Sequence, residues 1–266
     1  MRVETDTIVD ALEAFDIYAQ GIARDLFFGW WWDEEDRVYR NDESGEVMDE
    51  YRMISLRDDI VDWQVDYFAK WPIDEKEKEK KKKDDPNILA LLLLGIIALG
   101  TWEAKMRQAL QDASVIQYVF GRGGFEQMTA ADWNWLENWL IAQYSFLGGF
   151  SNDIAKGLLS EAQIAARSYL YFSSAVTAFE NGRMKAQSEE LDLTRHPGDY
   201  TSQCGSRDRC YWHYAHHRDR IVCHWFRTAR ESCDTCISRE KCPPVTFVKE
   251  TGEHINMICY EQADAA

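Results

Sequence analysis

All seven cysteines of this 266-residue chain lie after residue 203, and this one-sided placement limits what the chain can fold into. Four of them have metal-ligand spacing: Cys204 and Cys210 as C-x5-C, then Cys233 and Cys236 as C-x2-C. A C-x2-C pair sets two thiolates on one tight turn, where both reach a single tetrahedral ion. A second pair further along the chain completes a four-thiolate site and ties a small fold together. The spacing predicts two unlike parts. One is a long Trp-rich helical body, and the other a short Cys/His-rich module that burial alone would not hold together.

Disulfides and plain reduced thiols are the competing readings of the same cysteines. An odd number cannot pair completely within one chain, and the N-terminal MRVETDTIVDALEAF is acidic and has no apolar signal region, which favours a reducing compartment and a metal. Thiolate-rich tetrahedral sites favour zinc, and four protein ligands mark a structural ion. His213, His216, His217 and His224 are alternative ligands, and Cys223, Cys242 and Cys259 are spare thiols.

The net charge of −16 is uneven: residues 1–190 carry −15, residues 191–250 are +2 and residues 251–266 are −3. So acidic a body repels nucleic acid and anionic membranes at long range and suits a basic protein surface. The apolar run 88–99 is twelve residues long, short of the roughly twenty that a spanning helix needs, and is read as a buried core helix.

The organisation expected is an acidic, partly helical region over 1–73, a charged linker DEKEKEKKKKDDP within 74–86, a helical domain over 87–190 and the Cys/His-rich module over 191–266. Ile8, Leu12, Phe15, Ala19, Ile22 and Leu26 give residues 6–28 a helical stripe. Trp30, Trp31 and Trp32 are read as covering a core edge. Residues 53–71 fit helix and strand alike. Helices are expected over 87–119, 129–147 and 160–188, with capping residues at Thr129 and Ser160 and a helix-ending turn at GRGG, residues 121–124. Trp133, Trp135 and Trp139 are read as core, and residues 220–226 and 245–249 as strands. The fold class is therefore mainly α, with a small Cys-rich α+β module stapled by zinc.

No nucleophile elbow, H-E-x-x-H or phosphate loop is present, so no catalytic residues are assigned. Two other readings stay open. Arginines interleaved with Tyr211, Trp212, Tyr214 and Trp225 suit weak DNA contact by the C-terminal module. The stretch YWHYAHHRDR suits a metal-dependent nuclease.

The stretch VIQYVFGRGGFEQMTAADW, continuing through LENWLIAQYSFLGGFSNDIAKGLLSEAQIAARSYLYFSSAVTAFENGR, resembles the helical portion of tailed-phage minor head proteins of the Mu F-like and SPP1 gene-7-like type. HPGDYTSQCGSRDRCYW and HWFRTARESCDTCISRE resemble the Cys-rich end of such proteins. The resemblance covers roughly residues 115–245. It departs from the family pattern at Asp208, which stands where that pattern has a third closely spaced cysteine and which the resemblance makes a further alternative ligand. It implies a non-enzymatic head-assembly component, docked at the portal or inner capsid, located in the virion and in the host cytoplasm during assembly.

Overall fold

In the computed structural model, residues 29–69, 99–197, 209–226 and 244–256 are described. The expected helix at 6–28, the linker and the apolar run 88–98 lie outside them. The first element is a hairpin of β1 (Trp30–Asp33) and β2 (Val38–Asn41), paired antiparallel with Trp32 opposite Tyr39. Alternation decides the fate of the tryptophan cluster. Trp30 and Trp32 pack against the core while Trp31 points outward, 47% exposed.

Helix α1 (Glu50–Ala69) follows, so the stretch that fits both periods is a helix. Asp49 begins it by accepting a hydrogen bond from Arg52 N at 2.7 Å. Its inner face presents Met53, Ile54, Ile60 and Val61 and also Arg57, which is fully buried. Helix α2 (Leu99–Arg122) ends where GRGG was expected to end it. Gly123 and Gly124 take φ of 103° and 109°, which ordinary side chains resist. The Trp32 ring lies against Gly123 where a Cβ would stand, which locks the hairpin to this turn.

Helix α3 (Ala130–Ala155) opens with a full capping box between Thr129 and Asp132. Ser160 and Gln163 cap α4 (Glu161–Ser173) in the same way. At Ser174, the expected 160–188 helix divides and α5 (Ala175–Gln187) begins. Helices α2, α3 and α4 share a core in which Trp102 meets Phe150 edge-on at 5.3 Å and Phe150 stacks on Tyr171 at 5.7 Å. Helices α2 and α5 cross in backbone contact. An added Cβ at Gly121 would fall on the Phe179 carbonyl oxygen, and one at Gly182 on the Tyr118 carbonyl oxygen. No helix among the described residues is long and apolar enough to cross a membrane.

The C-terminal part corrects the expectation of a mainly α chain with a small appended module. Strands β3 (Tyr211–His216), β4 (Arg220–Phe226), β5 (Val245–Val248) and β6 (Glu253–Ile255) form an antiparallel sheet in sequential order. The fold is therefore mixed α and β. Its sheet shares a core with the helical part: Trp212, Tyr214, Ile221, Cys223, Val245 and Phe247 cluster with Met184 of α5 and with Leu191 and Leu193. The physical reason is a period-two pattern that fills one sheet face with large apolar side chains, each contributing about 1.5–3 kcal/mol when buried. This face is closed by ordinary hydrophobic burial.

Candidate functional site: a buried charge network and an aromatic helix face

Of the four cysteines predicted to hold a metal, Cys210 falls within the described residues. It lies just before β3, buried, and its carbonyl oxygen accepts a hydrogen bond from Arg57 Nη1 at 2.8 Å. Cys204, Cys233 and Cys236 lie outside the described residues, as do Asp208, Cys242 and Cys259. Among the described residues, no group of three or more His, Cys, Asp or Glu side chains is disposed to hold a metal. Cys223 is fully buried on the inner sheet face, where burial pushes its thiol up to about 12. That makes it a small apolar packing residue with no thiolate at neutral pH.

The histidines separate by position. His216 sits at the end of β3 with Nε2 2.8 Å from Gln187 Oε1, and partial burial pulls its ring down to about 4, so it is neutral at physiological pH. His217 starts the β3–β4 turn, where its amide donates to the Arg220 carbonyl and its own carbonyl accepts from Lys249 Nζ at 2.8 Å. His213 and His224 face each other across β3 and β4.

Sequence reasoning missed the most heavily constrained polar group. Arg57 uses all five of its N–H donors. Nε and Nη2 hold Asp58 Oδ1 at 2.9 and 2.8 Å, Nη1 holds Glu180 Oε1 at 3.0 Å and the Cys210 carbonyl, and Nη2 also holds the Arg209 carbonyl at 2.8 Å. Glu180 Oε2 accepts from the Trp212 amide at 3.2 Å. Burial drives the Glu180 carboxyl above its ordinary range, against the pull of Arg183 and Arg57. Arg183 pairs with Glu50, and Glu50 Oε2 lies 2.7 Å from His213 Nδ1. The network thus joins α1, α5 and the start of β3, and fixes the backbone on which Cys210 sits. The signal for it was E-x-x-R inside VTAFENGRM, two charges three residues apart in an otherwise helical apolar stretch.

A cleft of about 500 Å³ opens where α3 faces the end of α5, lined in part by Tyr118, Asp132, Trp135, Trp139 and Lys185. Tyr118 Oη donates to Asp132 Oδ1 at 2.6 Å, and Arg122 Nε reaches Asp132 Oδ2 at 3.2 Å. Burial works to raise the Asp132 carboxyl, but bonds from Tyr118, Thr129 and Arg122 outweigh it and hold the group below its usual value. Trp135 and Trp139 stack at 5.4 Å and 11°. Trp133 and Trp135 pack, half-buried, against the core of Tyr118, Leu136 and Ala178, in line with the expectation, and Trp139 is likewise half-buried. Trp135, Trp139, Ala142 and Phe146 recur at i, i+4, i+7 and i+11, which is one helix face, and Phe146 is 63% exposed. Ile141 beside them is 59% exposed.

Comparison of the chain with protein-family models, with curated proteins and with solved structures gives no match.

Proposed function

We propose that this chain is a structural component of a tailed-phage or prophage head, a minor head protein that docks at the portal or inner capsid. The resemblance of residues 115–245 supplies the class of assembly. The aromatic face of α3 carries the docking. Phe146, 63% exposed on the same helix face as the half-buried Trp135 and Trp139, offers the large apolar anchor that protein interfaces use. The net charge of −15 over residues 1–190 favours a basic partner surface.

The test is incorporation. Heads purified after expression with the rest of the head proteins are expected to contain the wild-type chain in few copies. Phe146→Asp, at a side chain 63% exposed, is expected to keep the wild-type unfolding midpoint and to lose at least tenfold in head-associated protein. Heads that lack the wild-type chain, or that take up Phe146→Asp equally, would sink the reading.

A structural zinc held by Cys204, Cys210, Cys233 and Cys236 belongs to the same reading. The donor set suits zinc, and the clamp of Arg57 on the Cys210 carbonyl suits a ligand that must be held in place. When bound, such an ion supplies a cross-link and no chemistry. Elemental analysis of protein purified without added metal or chelator is expected to find about one zinc per chain, and Cys233→Ser to lose it. Zinc-free protein with all thiols titratable would remove the staple.

A further inference from the structure

We propose that His213 and His224 form a second, surface metal site, a cross-strand histidine pair that takes a divalent transition ion through Nε2 of each ring. The two residues are direct partners in the β3–β4 register, both on the sheet face opposite the Trp212 and Cys223 core. Opposed residues in such a pair have Cβ atoms about 4.5–5.5 Å apart, within reach of one shared ion for two imidazoles. Zinc–nitrogen bonds of about 2.1 Å set the centroids of two imidazoles on one ion roughly 5–6 Å apart. The centroids here stand 6.3 Å apart at 47°, so a small side-chain rotation closes the pair.

One ring is already oriented. His213 Nδ1 lies 2.7 Å from Glu50 Oε2, and a carboxylate only accepts, so Nδ1 carries the hydrogen and Nε2 is the nitrogen through which the neutral ring can bind an ion. A carboxylate behind a ligating histidine is the arrangement that fixes the tautomer and raises the basicity of the distal nitrogen. Glu50 is fixed in turn by buried Arg183, which moderates that gain by drawing on the same carboxylate. The His213 side chain is 41% exposed, so an ion reaches it from solvent. Phe226 flanks both rings, 5.2 Å from His213 and 6.3 Å from His224, and supplies no donor to the remaining coordination positions. Two protein ligands leave those positions to water or to a donor side chain from a docked partner. Imidazole pairs suit zinc, copper or nickel and disfavour magnesium and calcium.

Long-range proton–nitrogen spectra of the histidine rings, recorded on the full chain during a zinc titration, test the site apart from any zinc bound by cysteines. The metal-free protein is expected to show His213 as the Nδ1–H tautomer. Added zinc is expected to shift Nε2 of His213 and His224 together, with His216 and His217 unmoved. His224→Gln, at an outward-facing position, is expected to weaken the His213 response at least tenfold, and magnesium to produce none. An Nε2–H tautomer for His213, rings unmoved by millimolar zinc, or a His213 response unchanged in His224→Gln would each overturn the proposal.

Discussion

Gly182→Ala is expected to lower the stability of this protein by about 3 kcal/mol, the upper end for overpacking a well-filled interior. The new Cβ would fall on the Tyr118 carbonyl oxygen and within 2.9 Å of Arg122 N. Both are backbone atoms of α2, so no side chain can swing aside. The helices must separate, which loosens the tilted Phe120–Phe179 contact at 5.4 Å and the cluster around it. For a chain of this size such a loss lowers the thermal midpoint by roughly 6–12 °C. Gly121→Ala meets Phe179 O and Arg183 N from the other side and should cost a similar amount. The double variant should cost less than the sum, because the helices need to separate only once. Gly149→Ala is the control. It lies in α3 with nothing near its added methyl and should stabilise by about 0.5–1 kcal/mol through helix propensity alone. A thermal melt of Gly182→Ala within 2 °C of wild type would mean that the helices do not cross this closely.

The same crossing illustrates what the sequence discloses and what it conceals. Local signals were readable. Thr129 and Ser160 cap helices, Gly123 and Gly124 end one, and the alternating run at 220–226 is a strand, because each of these depends on neighbours within a few residues. The 53–71 stretch was ambiguous for a physical reason. One of its core-facing helical positions is Arg57, and a buried charge reads as a solvent-facing position in any hydropathy pattern. Its partner Glu180 lies 123 residues away. The fold class was misjudged for a related reason. The cysteines suggested a module held by metal, whereas Met184, Leu191 and Leu193 supply the sheet with a hydrophobic core from the helical side. Of the four cysteines predicted as ligands, only Cys210 has a described setting, and that setting is made by α1, which sequence spacing gave no reason to connect with it. The aromatic face of α3 was visible as residues but not as a surface, since whether a tryptophan stripe faces inward depends on what packs over it.

Arg57→Met is expected to cost about 3–5 kcal/mol, the usual penalty for removing one member of a buried ion pair. The loss has identifiable parts. Glu180 Oε1 loses its 3.0 Å partner in a fully buried position, and the carbonyls of Arg209 and Cys210 lose their donors. Against a total stability of order 5–15 kcal/mol, this can leave the sheet only marginally attached. Replacing both charges tests whether the under-paired carboxylate dominates. Arg57→Met with Glu180→Met should lose less than Arg57→Met alone, since the buried carboxylate left with only Arg183 at 3.7 Å is removed as well, while Arg183 keeps Glu50. It should still fall short of wild type, because the carbonyls of Arg209 and Cys210 and the Trp212 amide each lose a buried hydrogen bond. Urea unfolding midpoints measure both losses, and hydrogen exchange at the Trp212 amide locates them at the start of β3. The pH dependence gives a third check. Burial already raises Glu180, so its folded form binds a proton more readily than its unfolded form and its contribution to stability falls as pH rises through the folded value. Without Arg57 the carboxyl rises further. The single variant should therefore recover stability relative to wild type as the pH is lowered from 8 toward 5, and the double variant should not. If the double variant is as unstable as Arg57→Met and the two share one pH profile, the energy lies in the backbone clamp on residues 209 and 210 and not in the ion pair.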